Sequence, residues 1–155
     1  MSKNTLSTDF RKVDVDELDE EKYRDDPETS EASNEADQVA RREQEVKRLT
    51  QSSNNMEALK VCLEDPPVST KDKALKERNF NVVLDVLTRF RAADVEKAVK
   101  SLSSEQVDVL MKYIYRGFAS PTENSCGILL SWHDKAVTAG GLGSIVRVLT
   151  DRKSV

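Results

Sequence analysis

Few side chains in this 155-residue sequence could do chemistry, and the first question is whether any are spaced to do it together. There is one histidine, His133. A multi-histidine zinc site is thereby excluded, and any histidine-assisted nucleophile would depend on this residue alone. Asp134 follows it, but adjacent helix positions do not face each other. The two cysteines, Cys62 and Cys126, lie too far apart for a metal or redox motif and read as reduced thiols. GGLGS, residues 140–144, suggests a phosphate loop. The third glycine of that motif is missing, no strand precedes it, and no Gly-Lys-Ser/Thr follows. It reads as a helix-terminating glycine and a tight turn between helices. The acidic run Asp14, Asp16, Glu17, Asp19, Glu20 and Glu21 lacks the glycine and the terminal glutamate spacing of a calcium loop, and reads as a solvated segment. No catalytic residue, cofactor site or metal site is expected.

The elements that carry these residues are helical by their spacing. Residues 36–51 place Val39, Val46 and Leu49 at helical intervals, with Glu43 and Lys47 as an i,i+4 pair. Ser52–Asn55 breaks that helix. A short second helix follows, with Asn54 and Glu57 spaced as a capping box and Pro66–Pro67 as its stop. Ser69 or Thr70 is expected to cap the third, whose second half carries a core stripe of Phe80, Val83, Leu84, Leu87 and Phe90. Val95, Val99 and Leu102 mark a fourth. Ser103 and Gln106 form a capping box at the start of a fifth, in which Val107, Leu110, Met111, Ile114 and Phe118 share one face. Ser120, Pro121 and Glu123 read as N-cap, N1 and N3 of a sixth, which Gly140 ends. Its apolar stripe is read as Cys126, Leu129, Leu130, His133 and Val137. Ile145, Val146, Val148 and Leu149 give a short last helix. No segment alternates like a strand. The expectation is an all-α protein of six or seven short helices in a compact, α-α superhelix-like body over 36–155.

Charge divides the chain. Residues 1–37 hold five basic and thirteen acidic side chains, a net −8, whereas residues 38–155 hold nineteen and fifteen, a net +4. Residues 1–35 are therefore expected to be an acidic arm and linker, disordered alone. The body is too weakly basic for a nucleic-acid footprint, and no apolar run reaches membrane-spanning length. Yet the arm holds Phe10, Val13, Val15, Leu18 and Tyr23. Val13 and Val15 suit an extended strip, while Phe10 and Val13 suit a helical turn. From Phe10 to Ala40 the chain reaches at most about 100 Å, well past a body of about 13 Å radius of gyration. Apolar burial alone does not repay ordering such a segment; tethering to a docked body makes its contact intramolecular. The pattern predicts a two-point binder. Tyr113, Tyr115 and Trp132 are aromatics of the kind enriched at interfaces, with core packing equally open to them; with His133 and Arg147 they are the candidate contacts of the body.

Several blocks resemble one family: MSKNT at the start, FRKVDVDELDE at 10–20, EKAVKSL at 96–102, LMKYIYRGF at 110–118, SWHDKA at 131–136 and AGGLGSIVRVLT at 139–150. They are similar to actin-related protein 2/3 complex subunit 5, the small helical subunit of the actin-branching nucleator. The resemblance covers residues 1–23 and about 57–155. It implies a superhelix-like helical body without enzymatic activity, in a seven-subunit assembly in the cytoplasm, cytoskeleton and actin-rich cell projections. It implies a body docked on scaffold subunit 4 and on propeller-type subunit 1. It implies that Phe10, Arg11, Lys12, Val13, Val15 and Leu18 reach actin-related protein 2, with actin filaments engaged only indirectly. A free-standing helical adaptor with a peptide-binding groove is the alternative.

Overall fold

The computed structural model describes residues 29–121 and 125–155, with residues 29–34 as backbone only. Among these, the chain forms six helices: α1 (Thr29–Gln51), α2 (Asn55–Leu63), α3 (Lys73–Thr88), α4 (Ala92–Lys100), α5 (Ser104–Ala119) and α6 (Ser125–Thr150). The all-α expectation holds. α1 begins seven residues before Ala36, because its first turns carry no large apolar residue for a spacing argument to detect. Ser52–Asn55 ends it as expected. Ser53 takes a positive φ of 60°, and its N–H and that of Asn54 bond back to Thr50 and Leu49 carbonyls at 3.1 and 2.9 Å. This is the paired closure of a helix C-terminus, with serine where glycine is usual.

The caps differ in part from those expected. Asn54 is the N-cap of α2, but its side chain caps nothing, and Glu57 instead pairs with Lys60. α3 is capped by Asp72, whose carboxylate accepts from the Ala74 and Leu75 N–H groups, rather than by Ser69 or Thr70. The Thr70 hydroxyl accepts from the Asp72 N–H one step earlier. The Ser103–Gln106 capping box forms in full. Ser120 does not open α6. It closes α5 by donating its N–H to the Arg116 carbonyl; α6 is described from Ser125, and Glu123 lies outside the described residues.

α6 packs along α5 and α4 and touches α3, while α1 packs on α2 and α3. Its buried side is Ser125, Leu129, Trp132 and Ala136. The expected stripe is thus rotated: Leu129 is inside, but Cys126 and Leu130 are exposed, and His133 and Val137 are half-buried. Trp132 fills the largest core position. Its indole N–H donates to the Leu87 carbonyl at 3.2 Å, and its ring meets Phe90 edge-on at 5.2 Å. Small Ser125 and Ala136 occupy the remaining buried turns.

Two glycines shape this region. A Cβ built on Gly117 would stand 2.5 Å from Leu129 Cδ1 and 3.5 Å from Phe80 Cζ, so α5 and α6 approach closely only because nothing is there. Gly117→Ala is expected to destabilise the body by about 1–2 kcal/mol: overpacking costs about 1–3 kcal/mol, offset by up to about 1 kcal/mol of helix propensity. A urea midpoint equal to or above wild type would show that Leu129 yields freely. The second glycine is Gly141, where α6 breaks with φ 67° and ψ −178°. The break expected at Gly140 falls one residue later. Fully buried Ser144 donates its hydroxyl to the Gly141 carbonyl at 2.8 Å, next to the break.

Candidate interaction surfaces

Each candidate residue of the body falls into one of two environments. Tyr113 and Trp132 are fully buried. The Tyr113 hydroxyl accepts from Asn79 Nδ2, and Asn79 Oδ1 accepts from Arg42 at 3.2 Å, a polar relay linking α5, α3 and α1. Burial is the main cause that pushes the Tyr113 phenol above its ordinary range. Tyr113 and Trp132 are therefore spent on the core. Apolar residues wrap so much of α5 and α6 that spacing could not separate the inner aromatics from the outer ones.

Tyr115 and His133 do reach the surface. Their rings meet edge-on at 5.7 Å, and Phe118 lies 5.9 Å from His133 and 6.1 Å from Tyr115. Leu130, 58% exposed, stands one turn along α6 from His133, with Val137 on the other side. The apolar stripe read from spacing is thus, apart from Leu129, a partly exposed row edged by α5 aromatics.

Past the Gly141 break, α6 carries a second row. Leu142, Val146 and Leu149 are 75%, 56% and 68% exposed and spaced i, i+4, i+7. Sequence reading placed Val146 and Leu149 in a final helix but gave no sign that they face outward. Arg147 lies beside them, locked to Asp108 by two hydrogen bonds of 2.6 and 2.8 Å. That hydrogen-bonded carboxylate holds the Arg147 pKa above its ordinary value. The row is thus carried on a segment fixed to α5.

Charged clefts complete the surface. An open groove of about 780 Å³ runs between α1 and α3. Its floor includes Val46, Ala74 and Val82, and its rim holds the Glu43–Lys47, Glu43–Arg78 and Asp85–Arg89 pairs. The hydrogen bond from Lys47 is the main cause that lowers the Glu43 pKa. A second pocket lies where α3, α5 and the C-terminal residues meet. Reactive groups are not gathered in either. Among the described residues no group of three or more His, Cys, Asp or Glu side chains could hold a metal. Burial pushes the Cys62 thiol up to about 12, so it stays protonated. No described helix is long and apolar enough to cross a membrane. Phe10, Arg11, Lys12, Val13, Val15 and Leu18 lie outside the described residues.

Among the described residues the outer features are apolar rows, fixed ion pairs and open clefts on an all-helical body, the surface features that protein-interaction modules use. By sequence, the chain belongs to the family described as ARP2/3 complex 16 kDa subunit (p16-Arc), whose model matches residues 9–155. It is 50% identical to the human actin-related protein 2/3 complex subunit 5-like protein and 49% identical to subunit 5-C of Xenopus laevis, each over the whole of both chains. It is 43% identical to subunit 5 of Dictyostelium discoideum, over 81% of this chain and 89% of that one. The similarity runs through residues 24–56, where no single block stands out by eye.

Proposed function

We propose that the chain is a non-catalytic structural subunit of the actin-related protein 2/3 complex, acting in branched actin nucleation in the cytoplasm and the actin cytoskeleton, including actin-rich projections. The observation that carries this reading is end-to-end identity of about half with relatives named as subunit 5 of that complex. The family match begins at residue 9 and so takes in the patterned arm. In this reading the body docks on scaffold subunits 4 and 1, with the Leu142–Val146–Leu149 row covered by one of them. The arm, through Phe10, Arg11, Lys12, Val13, Val15 and Leu18, tethers actin-related protein 2. Actin filaments are engaged only through the assembly, no nucleic acid is a partner, and the chain does not insert into a membrane.

Changing Phe10, Val13 and Leu18 together to Asp is expected to leave the body assembled and to weaken retention of actin-related protein 2. Each buried apolar side chain is worth about 1.5–3 kcal/mol, and about 1.4 kcal/mol is tenfold in affinity, so the loss should exceed tenfold. Affinity purification followed by salt washing reads it. Unchanged retention with an unchanged branching rate would end the tether reading.

The α1–α3 groove favours one alternative, a free-standing cytosolic adaptor that takes a peptide there. Gel filtration of lysate separates the two, since an adaptor elutes near 17.4 kDa and a subunit in a far larger particle.

A further inference from the structure

The pocket between α3, α5 and the C-terminal residues has a volume of about 480 Å³ and an uneven charge. Lys73, Lys76, Lys112, Arg116 and Lys153 line it, against only Glu77 and Asp151 among acidic side chains. Part of that charge is already answered: Lys112 pairs with Asp151, and Arg116 pairs with Glu77 and donates to the Val155 carbonyl. Lys76 donates to the Ser154 carbonyl at 2.7 Å. Lys73 and Lys153 are exposed and have no ion-pair partner among the described residues. The cations also crowd one another. Burial first, and then the nearby Arg116 charge, lower the Lys76 pKa, while Glu35 opposes that shift.

The pairing of α1 with α3 sets where the described chain begins. Arg42 bonds to Asn79 and Glu43 pairs with Arg78, Glu35 lines a cleft with Val68 and Ser69 just before α3, and Thr29, the first residue of α1, is six residues upstream of Glu35, about 9 Å along the helix. Residues 14–28 precede Thr29 and carry nine acidic side chains, among them Asp25, Asp26 and Glu28 in the last four positions. Fully extended, Glu21 is at most about 26 Å from Thr29. The acidic stretch is therefore joined by a short tether to the end of α1 that lies near the start of α3, which keeps its effective concentration at the α3 cations high.

We propose that in the unassembled chain residues 14–28 lie back along this pocket, with their carboxylates facing Lys73, Lys76 and Lys153. The arm is then stored on its own body until a partner draws it away; only this last clause rests on the tether reading above. The contact is electrostatic and shallow, so salt must weaken it.

The test uses the full-length chain carrying Cys126→Ser and a nitroxide on Glu20→Cys. Cys62 is buried, so the label goes to one site. At about 0.01 M salt, where the Debye length is about 30 Å, the amide NMR signals of Lys76, Lys112 and Lys153 should lose most of their intensity. At about 1 M salt, where it is about 3 Å, they should recover. Lys73→Glu with Lys153→Glu changes exposed side chains that have no ion pair among the described residues, so the fold stays and the broadening should vanish. Broadening confined to residues next to the label in sequence would overturn the proposal. So would broadening that survives the double variant, or that arises only when labelled and unlabelled copies are mixed, which would mean contact between copies. The Phe10, Val13 and Leu18 experiment reads a different contact in the assembled particle, so the two readings can fail separately.

Discussion

Replacing Trp132 by alanine is expected to destabilise the body by about 3–5 kcal/mol, the range for removing a buried large aromatic. Against a total of about 5–15 kcal/mol for an ordinary domain, that is enough to unfold a large share of the molecules on mild heating. The cause is threefold. Trp132 is wholly buried between α6 and α3, its ring is held edge-on to Phe90, and its N–H reaches the Leu87 carbonyl at the end of α3. That carbonyl otherwise receives the Arg89 N–H at the helix end and a long 3.5 Å bond from the Phe90 N–H. Trp132→Phe keeps much of the apolar contact but loses the indole donor, so it should cost less than the alanine change while leaving the carbonyl poorly served, at about 1–3 kcal/mol. Thermal and urea unfolding of both variants decide the matter. If alanine cost under about 1 kcal/mol, the ring would not be a core member in solution.

The second large effect concerns assembly rather than folding. Leu142→Glu together with Leu149→Glu should leave unfolding within about 0.5 kcal/mol of wild type, since both positions are exposed. The same pair should remove the chain from the purified complex, because two carboxylates would be buried without partners at the covered row. Lys97→Glu, on the exposed side of α4, serves as the matched charge change and should co-purify normally. Normal recovery of the Leu142/Leu149 variant would mean that this row is not a docking face.

How far these features could be read from residues alone depended on how one-sided each helix is. α3 and α5 carry apolar stripes whose buried members, Phe80, Val83 and Leu87 and then Val107, Leu110, Met111 and Ile114, fall where spacing put them. α6 is apolar nearly all round, with Ile128, Leu129, Leu130, Trp132 and Val137 facing several directions. Spacing could not choose its inner side; the fit of Trp132 against Leu87 and Phe90 did, and it turned Leu130 outward. Caps failed where two residues competed. Thr70 and Asp72 both offer oxygens near the α3 start, and Asp72 took the cap because it stands next to the first helical residue. Ser120 and Pro121 form a strong helix-start signal, but the end of α5 uses Ser120 first. The cationic pocket had no sequence signature, because Lys73, Lys112 and Lys153 come together only when α5 and the final residues pack on α3.

The outward row of Leu142, Val146 and Leu149 also bears on how much of this protein a cell can hold. A leucine-rich strip in water is a liability for any copy made without its companion, since it invites chaperones, clumping and proteolysis. If the row docks as proposed, a copy outside the particle is exposed to all three and a seated copy is sheltered, so disposal of surplus copies would hold the amount of the chain to the number of places awaiting it.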